Sequence, residues 1–291
     1  MKKIIVTGCQ GQLGQELMRQ AQALHWEVIG VNHQSLDITD AEAVHSTIKQ
    51  LNPDAVVNAA AYTAVDKAET EKALAFAVNR DGPENLAKAC SDMDIPLLHY
   101  STDYVFDGRK TTAYVETDST VPLGVYGESK LAGEQAIADN CEKHLIFRTS
   151  WVFSAYGNNF VKTMLRLGAE REVLGIVADQ FGKPTSAAEI ARISLHILQQ
   201  PIQNWGIYHL AQSDPISWHG FAQALFQQAR EAGRALKLKD IHAITTADYP
   251  TPAKRPANSV LDCQCLEQTF KLNIRPWRES LAQVIKELVK Q

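Results

Sequence analysis

Gly8-Cys9-Gln10-Gly11-Gln12-Leu13-Gly14 follows directly on the apolar run Lys3-Ile4-Ile5-Val6-Thr7 and opens a segment with helical periodicity. A buried strand, a glycine turn and a helix in that order predict a dinucleotide-binding βα unit. Glycine permits a tight turn and close backbone approach, so the unpaired amides at the helix start can face a pyrophosphate. The spacing is G-x-x-G-x-x-G rather than G-x-G-x-x-G. A turn that only packs helix on strand is the competing reading, and the position behind the first strand favours the nucleotide. Gly8 and Gly11 are the first candidate cofactor residues.

Outward from this unit the same rhythm repeats. Glu27–Val31, Ala55–Ala59, Leu97–Ser101 and Leu145–Thr149 are short, β-branched and apolar, as strands buried on both faces are. Between the first two strands Leu13, Leu17, Met18, Ala21 and Leu24 form one helical stripe; Ala41–Leu51 and Arg80–Met93 repeat the pattern. Such alternation predicts an α/β fold, a Rossmann-like doubly wound parallel sheet.

Past about residue 150 the rhythm loosens. Helices are expected at Asn159–Glu170, Ala187–Gln199, Trp218–Ala232 and Trp277–Lys290, with strands near Val173–Val177 and Ile207–Leu210. Irregular backbone is expected over the proline-rich Tyr249-Pro250-Thr251-Pro252-Ala253-Lys254-Arg255-Pro256. We expect residues 1–154 to form the nucleotide-binding domain. Residues 155–291 should be mainly a smaller C-terminal α/β substrate lobe, with some segments returning to the first domain and the binding crevice between the two.

The 291 residues carry 29 Lys+Arg against 33 Asp+Glu, a net charge of −4, with 45% apolar and 21% charged residues. That slight acidity argues against nucleic acid as a main partner, since phosphate backbones need a basic face. Met1-Lys2-Lys3 before Ile4-Ile5-Val6 superficially resembles a leader. Its apolar run stops after three residues, so no secretion signal is expected. No stretch approaches the length of a membrane span. Five scattered cysteines (9, 90, 141, 263 and 265) disfavour a disulfide framework, and Cys263-x-Cys265 lacks zinc-site partners. The expectation is a cytoplasmic protein.

The end of the second strand usually carries an acid for the adenosine ribose. Asn32 stands there, followed by His33, with neither an acid nor an arginine for a 2′-phosphate, so NADH and NADPH both remain open. Asp37 and Ile38 are candidates for the adenine side, and Leu36–Asp40 equally suits a helix cap.

Tyr126-Gly127-Glu128-Ser129-Lys130 places a tyrosine and a lysine on one face of a helix, about 5–6 Å apart. A free tyrosine, with a pKa of about 10, is a poor proton donor near neutrality. An ammonium at about 5 Å favours the phenolate by roughly 3 kcal/mol at an effective dielectric near 20. A surface tyrosine over a lysine is the bland alternative. Against it stands Ser101-Thr102-Asp103 at the carboxyl end of the fourth strand, where parallel sheets place their chemistry and where Thr102 can hydrogen-bond a carbonyl oxygen.

These motifs, with Asn58-Ala59-Ala60-Ala61-Tyr62-Thr63 and Ser101-Thr102-Asp103-Tyr104-Val105-Phe106-Asp107-Gly108, resemble the extended short-chain dehydrogenase/reductase superfamily. Ala64–Glu69, Arg148–Phe153, Asp179–Thr185 and Tyr249–Pro256 narrow the resemblance to its reductases of dTDP-linked 4-keto-6-deoxyhexoses, over nearly the whole chain. The resemblance implies hydride transfer from NADPH or NADH to C4 of dTDP-4-dehydro-L-rhamnose, the last step to dTDP-L-rhamnose. Tyr126 would protonate the C4 oxygen, Lys130 would hold the cofactor and tune the tyrosine, and Thr102 would assist at the oxygen. Gly11, Gln12 and Leu13 would meet the pyrophosphate, Asp37 and Ile38 the adenosine, and Ala61, Tyr62 and Thr63 would line the cofactor. Val65, Asp103, Tyr104 and Trp151 fall around the sugar nucleotide. Arg255 is a candidate diphosphate ligand, because a guanidinium fork suits phosphate oxygens. Some members bind Mg²⁺ through glutamates at a homodimer interface. Glu16 fits one such place, the Ala187–Glu189 region does not clearly supply the others, and no metal ligand is assigned.

Two other readings stand beside this one. A sugar-nucleotide epimerase or dehydratase would share the fold; a dehydratase needs a carboxylate pair beside the threonine, and here Asp103-Tyr104 follows it. A non-catalytic NADP-binding subunit, resembling the regulatory partner of methionine adenosyltransferase, would keep the glycine turn without needing Tyr126.

Overall fold

The structure, a computed structural model, describes residues 2–290. Five strands follow the expected order: β1 (Lys3–Thr7), β2 (Glu27–Val31), β3 (Ala55–Asn58), β4 (Leu97–Thr102) and β5 (His144–Thr149). Farther along come β6 (Val173–Val177), β7 (Gly206–His209) and β8 (Asp240–Ile244). The central sheet has the order β7-β5-β4-β3-β1-β2, and every pairing in it is parallel.

Side chains on β1 explain why helices cover both faces. Ile4 and Val6 enter one core with Leu17 and Ala21 of helix α1 (Gln12–Ala23). Ile5 enters the other with Val44 and Ile48 of α2 (Ala41–Leu51) and Leu86 and Cys90 of α3 (Gly82–Asp92). Successive residues of a strand point to opposite faces, and a strand buried on both must be apolar throughout. The helix α4 (Val125–Asn140) carries Tyr126 in its first turn.

The second half is not a separate appendage. Helix α5 (Phe160–Glu170) opens a second core with its Val161 and Leu165 against Phe153. Helix α6 (Ala187–Leu198) instead packs its Ile190, Ile193 and Ile197 into the α1 core, and β7 extends the sheet beyond β5. Helices α7 (Trp218–Glu231) and α8 (Trp277–Val289) complete the second core with Phe221, Leu225 and Trp277, and β6 pairs with β8 at its edge.

Several boundaries differ from expectation. The helix expected over Arg80–Met93 begins at Gly82, and Ala77–Asp81 ahead of it forms a π-helical turn. β8 has no counterpart among the expected strands, because Asp240-Ile241-His242-Ala243-Ile244 is largely exposed and lacks the continuous apolar run of a buried strand. The proline-rich 250–256 contains no helix or strand. No helix among the described residues is long and apolar enough to cross a membrane.

Candidate active site

Strand order reverses between β1 and β3, and open parallel sheets bind ligands in the crevice this leaves at their carboxyl ends. Two adjoining cavities occupy it. The outer one, about 340 Å³, is lined by Gly8, Gly11, Asn32, Asp37, Ile38 and Ala61, among others. The inner one, about 390 Å³, shares Gly11 and Ala59–Ala61 with it and adds Gln12, Leu13, Thr63, Tyr126 and Lys130.

The glycine turn is required by contact. Gly8 sits at φ +63°, and a Cβ there would meet the Ala59 and Ala60 backbone at 2.7 Å. A Cβ on Gly14 would lie 2.2 Å from the Gly8 carbonyl oxygen. Gly11 caps α1 without any side-chain hydrogen bond, so the first amides of the helix stay free for an anion. Gly14→Ala is expected to lose about 1–3 kcal/mol of stability by overpacking and to weaken dinucleotide binding. Urea unfolding and a cofactor titration read the two effects, and unchanged binding would remove the turn from the cofactor site.

At the adenosine end, Asn32 Oδ1 accepts from the Gln34 and Ser35 amides at 2.9 and 3.0 Å. Asp37 Oδ1 accepts from the amide and hydroxyl of Thr39, and these bonds hold its carboxyl below the usual range. Both residues border the outer cavity while bracing their own turns. Tyr62 turns elsewhere: its ring packs with Ala68, Ala75 and Val125, and neither cavity is lined by it. Its backbone is clamped by Asn79, which accepts from the Tyr62 N–H at 2.9 Å and donates to its carbonyl at 3.0 Å. Asn79 also donates to Ser129 at 3.0 Å, tying the Ala61–Thr63 loop to the helix of Tyr126. It stands on the π-helical turn, a local irregularity often found at functional sites. Nothing in the sequence distinguishes Asn79 from a surface asparagine.

Tyr126 is half-buried beside Tyr104, the two tyrosine rings meeting edge-on at 5.8 Å. Burial pushes its pKa up to about 12, while the hydrogen bond with Thr102 works the other way. The lowered tyrosine pKa expected from a neighbouring ammonium is therefore not what this environment gives, because desolvation of the phenolate dominates. Lys130 is buried to 1% exposure, and burial lowers it to about 8. Thr102 donates to Asp103 at 3.1 Å and accepts from the Tyr104 amide at 3.1 Å. Asp103 is buried with Oδ2 unpartnered, and desolvation raises its pKa to about 7.

Val65, Tyr104 and Tyr126 line one narrow crevice with Ala253, Lys254 and Pro256. A third cavity, about 460 Å³, lies beside the second core among Phe160, Met164, Val177, Trp218, Tyr249 and Arg255. Arg255 is held by Asp66, Nη2 to Oδ2 at 2.9 Å, with Thr251 as a further partner. Trp151 has φ +48° and stacks on Trp218 with centroids 3.5 Å apart and planes 6° from parallel. A non-glycine residue held in this region stores strain that the surroundings must offset. Trp218, which the sequence marks only as a helix start, lines the third cavity, and Trp151 stacks on it without lining that cavity.

Glu16, the one place the resemblance gave for Mg²⁺, and Glu189 are both engaged within the chain. Glu16 accepts from Arg19 and Gln20, and Glu189 accepts from both nitrogens of Arg192 and from the Arg275 amide. Among the described residues no three His, Cys, Asp or Glu side chains gather as a metal group.

The chain matches the family model described as RmlD substrate binding domain over residues 1–290. It is 44% identical over 292 residues to the dTDP-4-dehydrorhamnose reductase of Shigella flexneri, covering 98% of this chain and 97% of that protein. A solved dTDP-4-dehydrorhamnose reductase from Clostridium acetobutylicum superposes with a TM-score of 0.93 at 39% identity, covering 99% of this chain and 100% of the other. That of Bacillus anthracis, solved in complex with NADP, gives 0.92 at 35% identity, covering 98% and 99%.

Proposed function

Because this chain belongs to the RmlD substrate binding domain family, we propose that it reduces dTDP-4-dehydro-L-rhamnose to dTDP-L-rhamnose with NADPH or NADH. One observation carries the reading: a half-buried tyrosine and a buried lysine share a cavity with the open amides of the glycine turn. The dehydratase reading has no carboxylate pair in that cavity to support it, and the non-catalytic reading leaves the half-buried Tyr126 and the buried Lys130 without a purpose.

In this reading the reduced nicotinamide supplies the hydride when bound. The amides at Gly11, Gln12 and Leu13 hold the pyrophosphate, and Asn32, Asp37 and Ile38 border the adenosine. Ala61 and Thr63 line the nicotinamide half. Tyr126 keeps its proton at neutral pH and gives it to the C4 oxygen, and Thr102 turns its one hydroxyl hydrogen from Asp103 to the same oxygen. Val65, Asp103 and Tyr104 surround the sugar. The nucleotide lies toward Trp151, Trp218 and Arg255, where the diphosphate competes with Asp66 for the guanidinium. Residues 1–154 hold mainly the cofactor and 155–291 mainly the sugar nucleotide, in a cytoplasmic biosynthetic role.

The test is oxidation of NADPH or NADH on addition of dTDP-4-dehydro-L-rhamnose, followed by absorbance, with dTDP-L-rhamnose identified as product. No oxidation with either cofactor, in protein that still binds dTDP, overturns the reading. The ratio of kcat/KM for the two cofactors decides between them.

A further inference from the structure

A dinucleotide brings a doubly negative pyrophosphate, and few cations stand ready to meet it. Of the side chains lining the two cofactor cavities, only His33 and Lys130 can carry positive charge. His33 follows β2 at the adenosine end, and Lys130 lies with Tyr126 at the other. The phosphates between them must therefore be met by uncharged donors. The first amides of α1 supply one side.

The opposite side comes from the second half of the chain. Residues 154–159 join Phe153 to α5 without helix or strand, and Gly157 and Asn158 line the inner cavity beside Gly11, Gln12 and Leu13. Glycine has no side chain, so what Gly157 presents there is main chain. It sits at φ +58°, and a Cβ on it would lie 3.0 Å from Gln12 Cγ and 3.9 Å from the Gln12 nitrogen. The loop thus crosses over the first turn of α1. Both residues are exposed, and neither the Gly157 nor the Asn158 N–H has a hydrogen-bond partner among the described residues.

Gln12 ties this loop down, and backbone groups settle the direction of its side chain. Asn159 Oδ1 accepts from the Lys162 N–H at 3.1 Å, and its Nδ2 donates to the Ser154 carbonyl at 2.8 Å. An N–H only donates and a carbonyl only accepts, so both ends of the Asn159 amide are identified. Its Nδ2 also reaches the Gln12 side chain at 2.8 Å, and the atom it meets is therefore the oxygen, Oε1. The Ser154 hydroxyl meets the same oxygen at 3.2 Å. Gln12 Nε2 is the end left over as a donor.

We propose that the Gly157 and Asn158 N–H groups, with Gln12 Nε2, form a second wall of the pyrophosphate site, facing the α1 amides across the inner cavity. The phosphate oxygens then receive donors from both halves of the chain, and Gln12 belongs to both walls, its N–H in one and its side chain in the other. Hydrogen bonds to a charged acceptor are stronger than neutral ones, so this wall adds affinity beyond that of the glycine turn.

The proposal rests on the chain binding a dinucleotide, and the probes separate that reading from this one. NADPH and NADH carry the pyrophosphate; 2′,5′-ADP and AMP keep the matching adenosine halves and lack it. In ¹⁵N-labelled protein the Gly157 and Asn158 amide protons are expected to move downfield with the dinucleotide and to stay in place with the matching nucleotide. Gly157→Ala strains a left-handed backbone and presses its Cβ on Gln12, so the loop draws back from α1. Its dinucleotide Kd should rise about tenfold or more, the worth of one or two hydrogen bonds to a charged group. Its Kd for 2′,5′-ADP or AMP should stay as in wild type. A purely structural loop would instead lower the urea midpoint and weaken both ligands alike. Amide signals unmoved by the dinucleotide, unchanged dinucleotide affinity in Gly157→Ala, or equal loss of both ligands overturns the proposal. Wild-type protein that binds neither dinucleotide overturns the cofactor reading, and this proposal with it. Should Gly157→Ala not fold, the wild-type amide shifts decide.

Discussion

Tyr126→Phe is expected to lower kcat by at least ~10²-fold, the range for a lost general acid, with cofactor affinity little changed. Phenylalanine fills the same crevice beside Tyr104 and keeps the edge-on ring contact, so folding and binding should survive. What is lost is the Tyr126 hydroxyl, and with it the proton for the C4 oxygen. Single-turnover hydride transfer measured beside a cofactor titration separates the two effects. Wild-type turnover in this variant would remove Tyr126 from the mechanism.

Arg148→Met is expected to destabilise the fold by about 3–5 kcal/mol, the cost of leaving one partner of a buried ion pair uncompensated. The guanidinium meets Glu134 with Nη2 at 2.6 Å from Oε2 and Nε at 3.0 Å from Oε1. Both side chains are almost wholly buried, and the cation also lies 5.2 Å from the Phe106 ring. Removing it leaves the Glu134 carboxylate with only the Ser101 hydroxyl. Urea unfolding should show a much lower midpoint, most of it restored by adding Glu134→Leu, because a matched apolar pair carries no buried charge. A single variant as stable as wild type would show the pair to be dispensable.

The cofactor half is legible in the sequence because its signals are local. Continuous apolar strands, the glycine turn and the tyrosine–lysine spacing each lie within a few residues, and their geometry is dictated by backbone chemistry. Legibility ends where a role depends on partners far along the chain. Asn79 and Trp218 take their meaning from Tyr62 and Trp151, which no spacing rule connects to them. The direction of the Tyr62 ring is hidden for the same reason, since the clamp on its backbone comes from Asn79. A charge pair taken in isolation lowers the tyrosine pKa, whereas here desolvation dominates and raises it.

The sheet's outer strand β7 comes from residues 206–209, and α6 covers the face beside Tyr100 from residues 187–198. During synthesis, therefore, β5 emerges with a bare hydrogen-bonding edge and an uncovered apolar flank, and stays so until those later segments are made. An unpaired edge of that kind recruits other strands. A nascent chain stalled before residue 206 should bind holdase chaperones, and the 291-residue chain should not.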